Sequence, residues 1–272
     1  MSHGIPFPDA AALAVLFGKM IATALFVVFI AEVSERVSPF FAAMLASLPV
    51  YSGPIYLILA FEHPPEYLAQ ASLGSTAISG TVPIFSLTYC VLAQKRGMAL
   101  SLAGALAVWL LAAIAVRSHA WTLGQAVALC VASNAMAIPI SKRFVRATPI
   151  PRVSRNWVDL PLRASLVAAF VGAVTTLSSA LPPMLTGILS VMPVIFTSLI
   201  LVLHSRIGGP AMSALLAHSI VGMLGMSMGF IAVHLTILHI GTAPALLLGL
   251  GISIAWNLTL IFARHGLTWL RR

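Results

Sequence analysis

The sequence predicts an all-α, polytopic integral membrane protein. It predicts about nine transmembrane helices, arranged as two inverted four-helix repeats joined by a linker helix. Three observations lead there. Of the 272 residues, 60% are apolar and 8% charged, against roughly 45–50% and about a quarter in ordinary soluble domains, so the charges are too few to coat a water-facing globule. Nine apolar segments each reach the roughly 20 residues a helix needs to cross the hydrocarbon core. The cations, finally, collect in alternate loops.

The nine segments run over 11–31, 38–61, 66–93, 97–116, 120–140, 160–180, 183–204, 209–237 and 242–263. Their apolar runs are continuous, without the alternation of a barrel strand. The opening MSHGIPFPDAAALAVLFGKM has neither a positive n-region nor a small-residue cleavage site, so no removed signal peptide is expected. Glu32 and Glu35 close the first span beside Arg36. Pro49 and Pro54 interrupt the second, and Pro193 interrupts the seventh. Between the second and third, Glu66 follows Pro64-Pro65 and reads as a helix-start acid, which suits the positive end of the dipole. The third and eighth spans exceed the minimum length, which predicts tilt or protrusion.

The loop 142–159 carries Lys142, Arg143, Arg146, Arg152 and Arg155, and the excess of Lys and Arg in cytoplasmic loops places it inside. With nine crossings, the amino terminus then lies outside and the carboxyl terminus inside. Arg36, Lys95, Arg96, Arg206, Arg264, Arg271 and Arg272 also fall inside, so twelve loop cations are inside against Arg117 alone outside. This fits the plasma (inner) membrane of a bacterium. The same loop is expected to bind anionic lipid. The net charge of +9 is therefore read as topology rather than as a nucleic-acid surface.

A constant offset of 144 residues aligns the chain with itself. Pro39 falls on Pro183, Pro49 on Pro193, Gly97 on Gly241, Ser34 on Ser178 and Lys19 on Arg163. Leucine matches are cheap in this composition, but two prolines and a glycine align without a gap. The expected units are an N-terminal repeat in 1–117, a linker helix with its basic loop in 118–157, and a C-terminal repeat with a short tail in 158–272. Because the linker crosses once, the second repeat enters the membrane from the opposite side. Inverted repeats recur in secondary transporters, with the substrate site near the midplane between them.

The stretch LASLPVYSGPIYLILAFE, residues 45–62, followed by a span of small residues, resembles the GlpM family of small bacterial inner-membrane proteins. GILSVMPVIFTSLILVLHSRIG, residues 187–208, is similar to a more distant copy of it. The resemblance implies that a small four-span unit was duplicated and fused. It implies no defined activity.

A proline in a helix removes one hydrogen bond and frees the carbonyl four residues back. In a bilayer that carbonyl needs a partner, and lining a cavity is one way to give it one. Pro49 with Ser47, Tyr51, Ser52 and Tyr56, and Pro193 with Ser190, Thr197 and Ser198, form two such breaks. The alternative at each is a kink satisfied by neighbouring hydroxyls. Lys19 and Arg163 are the cations placed inside spans. They are candidates for an anionic substrate group, against simple snorkelling to the headgroups. Ser75 and Ser79 on the third span, and His218 on the eighth, complete the expected substrate-binding set. Small residues at such spacing otherwise serve helix packing. Cys90 and Cys130 have no metal-ligand spacing, and Met223, Met226 and Met228 lack a counterpart in the first repeat.

Gly225-Met226-Ser227-Met228-Gly229 matches a nucleophile elbow, but that motif requires a strand-to-helix turn. Phosphate-loop, dinucleotide, metalloprotease and calcium-loop patterns are absent from the sequence. No enzyme activity, cofactor, metal or nucleic acid is expected. The expected partners are the bilayer and a small solute, and a homodimer is compatible with the plan. The expected function is a secondary transporter or exporter of a small solute or lipid-linked group. A passive channel, or a non-transporting subunit of an envelope assembly, are the alternatives.

Overall fold

In the computed structural model, residues 17, 18, 21, 25, 52–147 and 159–269 are described. They form helices only: α1 Ser52–Glu62, α2 Pro65–Ser79, α3 Val82–Leu92, α4 Met98–Arg117, α5 Leu123–Ala147, α6 Asp159–Leu177, α7 Pro183–Leu189, α8 Val194–Ile240 and α9 Thr242–Trp269. Five stretches are long and apolar enough to cross a membrane: Pro65–Leu92, Met98–Arg117, Leu123–Val145, Pro183–Ile240 and Thr242–Ala263. The chain is an integral membrane protein on that ground.

Four of these stretches lie within a few residues of the expected spans 66–93, 97–116, 120–140 and 242–263. The expected spans 183–204 and 209–237 appear as one apolar stretch, Pro183–Ile240, broken twice. The first break separates α7 from α8. The second lies inside α8 at Gly208, whose φ of 80° and ψ of 163° suit glycine alone. Pro210 follows, in the first turn of the outgoing arm, where its missing N–H is not needed. The expected span 160–180 appears as α6, with a described apolar part over Ala164–Leu177. The first expected span and most of the second lie outside the described residues.

The third span is two helices rather than one. α2 ends at Ser79 and α3 starts at Val82. Pro83 in the first turn of α3 has no N–H to bond back, and Thr81 Oγ1 donates to the Ile78 carbonyl at 2.7 Å. The bend is therefore satisfied locally. At α2's start, Pro64 occupies the N-cap and Glu66 the first turn, as the EHPPE motif predicts. Pro54 lies within α1, and the part of the expected second span that precedes Ser52, Pro49 included, is outside the described residues.

Burial separates a central layer from a peripheral one. The most apolar part of Pro65–Leu92 is 78% buried and that of Pro183–Ile240 is 67% buried, against 33%, 28% and 22% for α4, α5 and α9. Thus α2, α3, α7 and α8 form the middle, and α4, α5 and α9 present Leu110, Leu111, Ile114, Val131, Leu247 and Phe262 outward. Outward-facing large apolar side chains suit lipid contact, since in lipid they gain nothing from being buried.

Close helix approach is set by glycine at three seams. At the first, a Cβ on Gly187 of α7 would stand 1.8 Å from the Ala71 carbonyl oxygen of α2, and one on Gly74 would stand 2.4 Å from that of Met184. At the second, Gly209 meets the Ala93 carbonyl in the same way. The third packs α8 on α9, where Gly229 faces Gly249 and Gly225 faces Ser253 and Trp256. Gly225–Gly229 is continuous helix, so the elbow-like motif is a packing surface, as small residues at this spacing usually are.

Candidate functional site

The break between α7 and α8 frees two carbonyls. In an unbroken helix Gly187 O would accept from the Val191 N–H and Ser190 O from Val194 N–H. Here Val191 N donates to Ile188 O and Val194 N to Met192 O. Pro193 has no N–H at all, so the Leu189 carbonyl is taken by Met192 N instead. Both freed carbonyls are then met by hydroxyls from the first half of the chain. Ser75 Oγ of α2 donates to Gly187 O at 2.8 Å, and Ser52 Oγ of α1 donates to Ser190 O at 3.0 Å.

Ser190 Oγ lies 2.9 Å from Ser75 Oγ and donates to Gly187 O at 2.8 Å, while Tyr56 Oη lies 2.8 Å from Ser75 Oγ. The relay Tyr56 to Ser75 to the Gly187 carbonyl, with Ser190 as that carbonyl's second donor, uses each hydroxyl once as donor. Ser52, Ser75 and Ser190 are completely buried and Tyr56 nearly so. A buried network of this kind is stable only when every member is satisfied, and this one is. Its described groups are all uncharged.

A cleft of about 50 Å3 adjoins the relay, with Ser52 and Tyr56 on one wall, Gly229 and Phe230 of α8 on the second, and Gly249 and Ser253 of α9 on the third. Water needs roughly 10–15 Å3 of such space, so the cleft admits a few waters in this conformation. Tyr56 packs on Phe230 with ring centroids 5.5 Å apart, closing it on one side.

A second polar seam holds the linker helix. Ser79 Oγ at the end of α2 lies 2.8 Å from Ser227 Oγ of α8 and 3.5 Å from Cys130 Sγ of α5, and the Cys130 thiol donates to Thr76 O at 3.0 Å. At one end of the central layer, Tyr67 Oη donates to Ser178 O at 2.9 Å and lies 2.7 Å from Thr186 Oγ1. His63 stacks on Tyr67 and bonds Ser178 Oγ at 2.8 Å. At the other end Tyr89 Oη bonds His204 Nδ1. Beside it the Cys90 thiol donates to Ser213 O at 3.3 Å, and Gln94 Nε2 donates to Ser213 Oγ at 3.1 Å.

Of the expected substrate-binding residues, the structure brings Ser75 and Ser190 together, with Pro193 supplying the break between α7 and α8. Ser79 sits about one turn further along α2, in the linker seam, bonded to Ser227. Thr197 bonds back to the Pro193 carbonyl of its own helix at 2.8 Å, so it satisfies the kink. His218 is half-buried on α8. Arg163 lies on α6, and its side chain is outside the described residues, as are Lys19, Ser47, Pro49 and Tyr51. Asn134 and Asn257 donate to carbonyls of their own helices.

Sequence reasoning placed Ser52 and Tyr56 near a break but not in the site. It missed the end seams of His63, Tyr67, Tyr89 and His204. Polar aromatic and imidazole groups inside apolar runs were the available signal, since such groups need a partner when buried. Among the described residues no group of three or more His, Cys, Asp or Glu side chains could hold a metal ion. No protein-family model matches the chain, and neither a curated protein nor a solved structure does.

Proposed function

We propose that the chain is a secondary transporter, moving a small solute or lipid-linked group between two inverted four-helix halves. One observation carries this reading. Two hydrogen-bonded pairs join the halves in a reciprocal way. The Cys90 thiol meets Ser213 O, and His234 Nδ1 donates to Ala69 O at 2.7 Å. Adding the 144-residue offset to 90 gives 234, and subtracting it from 213 gives 69. When a two-fold axis relates two copies, a contact between positions i and j recurs with the copies exchanged, and these pairs behave so.

Helix bounds support the same offset. α4 starts at Met98 and α9 at Thr242, which are 144 apart, and each follows a glycine. The end of α1 at Glu62 corresponds to Arg206, two residues before the break at Gly208. The inversion rests on α5, a single crossing between the halves. On this reading nine crossings put the amino terminus outside and the carboxyl terminus inside a bacterial inner membrane, with the basic loop 142–159 on the anionic leaflet. The two halves would be fused copies of a GlpM-like unit.

The solute would sit at the broken helices, where Ser52, Tyr56, Ser75 and Ser190 offer hydroxyls and Gly187 and Ser190 offer carbonyls. That set suits an uncharged, hydrogen-bonding group. Any anionic part of the solute would fall to Lys19 and Arg163. Rocking of one half against the other would expose the site to each side in turn.

Two-sided labelling tests this. A Ser75→Cys chain in sealed vesicles should react with a membrane-impermeant thiol reagent from either face, and locking one face should protect the other. Reaction from both faces at once would indicate a channel. Reaction from neither face under any condition would refute passage between the halves.

A further inference from the structure

We propose that His204 binds the coupling ion of transport, a proton, and that its protonation unlocks one end of the pathway. The proposal rests on the transporter reading and names the ion that drives it.

His234, His63 and His204 each bond across from one half to the other, and hydrogen bookkeeping separates them. His234 Nδ1 faces the Ala69 carbonyl, which only accepts. The nitrogen must carry a hydrogen, so the bond survives whether the ring is neutral or charged. His63 Nε2 faces Ser178 Oγ, but that hydroxyl donates its hydrogen to Thr175 O at 2.7 Å. His63 therefore also donates, and protonating its other nitrogen leaves the bond in place.

His204 is the exception. Its Nδ1 faces the Tyr89 hydroxyl, and no other hydrogen-bond partner of that hydroxyl occurs among the described residues. With a neutral ring, Tyr89 donates its hydrogen to Nδ1. With a charged ring both nitrogens carry hydrogens, so Tyr89 must accept and its own hydrogen finds no acceptor among the described residues. Tyr89 has no exposed surface, so that hydrogen cannot turn to water. A buried donor without an acceptor is costly, and the cost is relieved when the Tyr89 side chain leaves the seam. His204 is itself half-buried and lies near the Gly208 end of the first arm of α8.

The seam is a fitting place for such a latch. It ties α3 of the first half to the first arm of α8 in the second, next to the Cys90–Ser213 pair and the glycine contact of Gly209 with Ala93. Among the residues whose side chains are described, the titratable and charged groups at that end are Tyr89, Cys90, Lys95 and Arg96 around α3, Arg206 on the arm itself, and Lys142 and Arg143 on α5. α2 and α4 bring none to that end.

Cys90, buried beside Tyr89, is a built-in reporter of opening. In a Cys130→Ala background in liposomes, Cys90 labelling is measured against the denatured protein at each pH, which cancels the intrinsic pH dependence of the thiol. The ratio should rise about tenfold as the pH falls through the histidine range, from about 8 to about 5. His204→Gln keeps an acceptor for Tyr89 and cannot gain a charge, so its ratio should stay low and flat. Tyr89→Phe removes the latch and should give a high, flat ratio. A flat ratio in the parent chain, or the same rise in His204→Gln, overturns the proposal. If Ser75→Cys is still reached from both faces in turn while Cys90 ignores pH, the proton assignment falls alone. If Ser75→Cys is never reached, the transporter reading falls with it.

Discussion

Replacing Gly187 by alanine should separate the two halves of the protein at their tightest seam. The new Cβ would lie 1.8 Å from the Ala71 carbonyl oxygen, whereas ordinary contact begins at 3.4 Å. The difference is 1.6 Å, and both partners are backbone, so no side chain can swing aside. α7 and α2 must move apart. Overpacking of this kind costs about 1–3 kcal/mol. The same movement stretches the Ser75 to Gly187 bond, now 2.8 Å, beyond hydrogen-bond range. It thereby strips a buried carbonyl of a donor, a further loss of roughly 1–3 kcal/mol. The two effects share one displacement and do not simply add, so about 2–4 kcal/mol is expected. Gly251→Ala is the control. Nothing lies within 4 Å of its Cβ position, and alanine within a helix should gain about 0.5–1 kcal/mol. Denaturation in detergent, followed by the reactivity of the buried cysteines, measures both. A Gly187→Ala protein as stable as the parent would refute the close approach of α2 and α7.

Other outcomes follow from single residues. Gly208→Ala must hold a Cβ at a φ of 80° and should cost about 1–2 kcal/mol in the same assay. Tyr56→Phe and Ser190→Ala should each destabilise by about 1 kcal/mol, and a double-mutant cycle should show coupling, because both act through Ser75; strict additivity would mean that no relay exists. Trp256→Phe loses the indole donor to Val221 O at 2.9 Å and should cost about 1 kcal/mol, with no effect if that bond is absent. Neutralising the five cations of 142–159 should weaken binding to anionic vesicles by about 1 kcal/mol per charge, less at high salt; unchanged lipid preference would reduce the segment to a tether.

Much of the fold is written in hydropathy, because a membrane helix must be apolar over its whole crossing. The starts of α4 and α9 are legible for a simpler reason, a glycine ending one apolar run and another beginning. Breaks are less legible. Pro193 announces its break by the hydrogen it lacks, but Pro83 falls in a first turn, where a missing N–H costs nothing. A proline in sequence does not say which of these it will be. Gly208 is a break whose cause is a backbone angle rather than a side chain. In the site, Ser190 follows from its place beside Pro193. Ser75 does not, since any of Ser72, Ser75, Thr76 and Ser79 could face a freed carbonyl. Ser72 and Thr76 instead bond back along their own helix. The choice is made by the approach of Gly187 and Gly74, which sets the rotation of α2 against α7. That is a tertiary contact across more than a hundred residues. The Tyr89–His204 seam is hidden in the same way.

The proposed inversion of the two halves rests on α5 crossing the membrane once, and two reporter fusions address that most directly. A reporter placed after Ser118, before α5, and one placed after Ile150, beyond it, should give opposite answers. The first should read outside and the second cytoplasmic. If both report the same side, α5 does not cross, the halves enter the membrane in the same sense, and alternating access between inverted copies is ruled out.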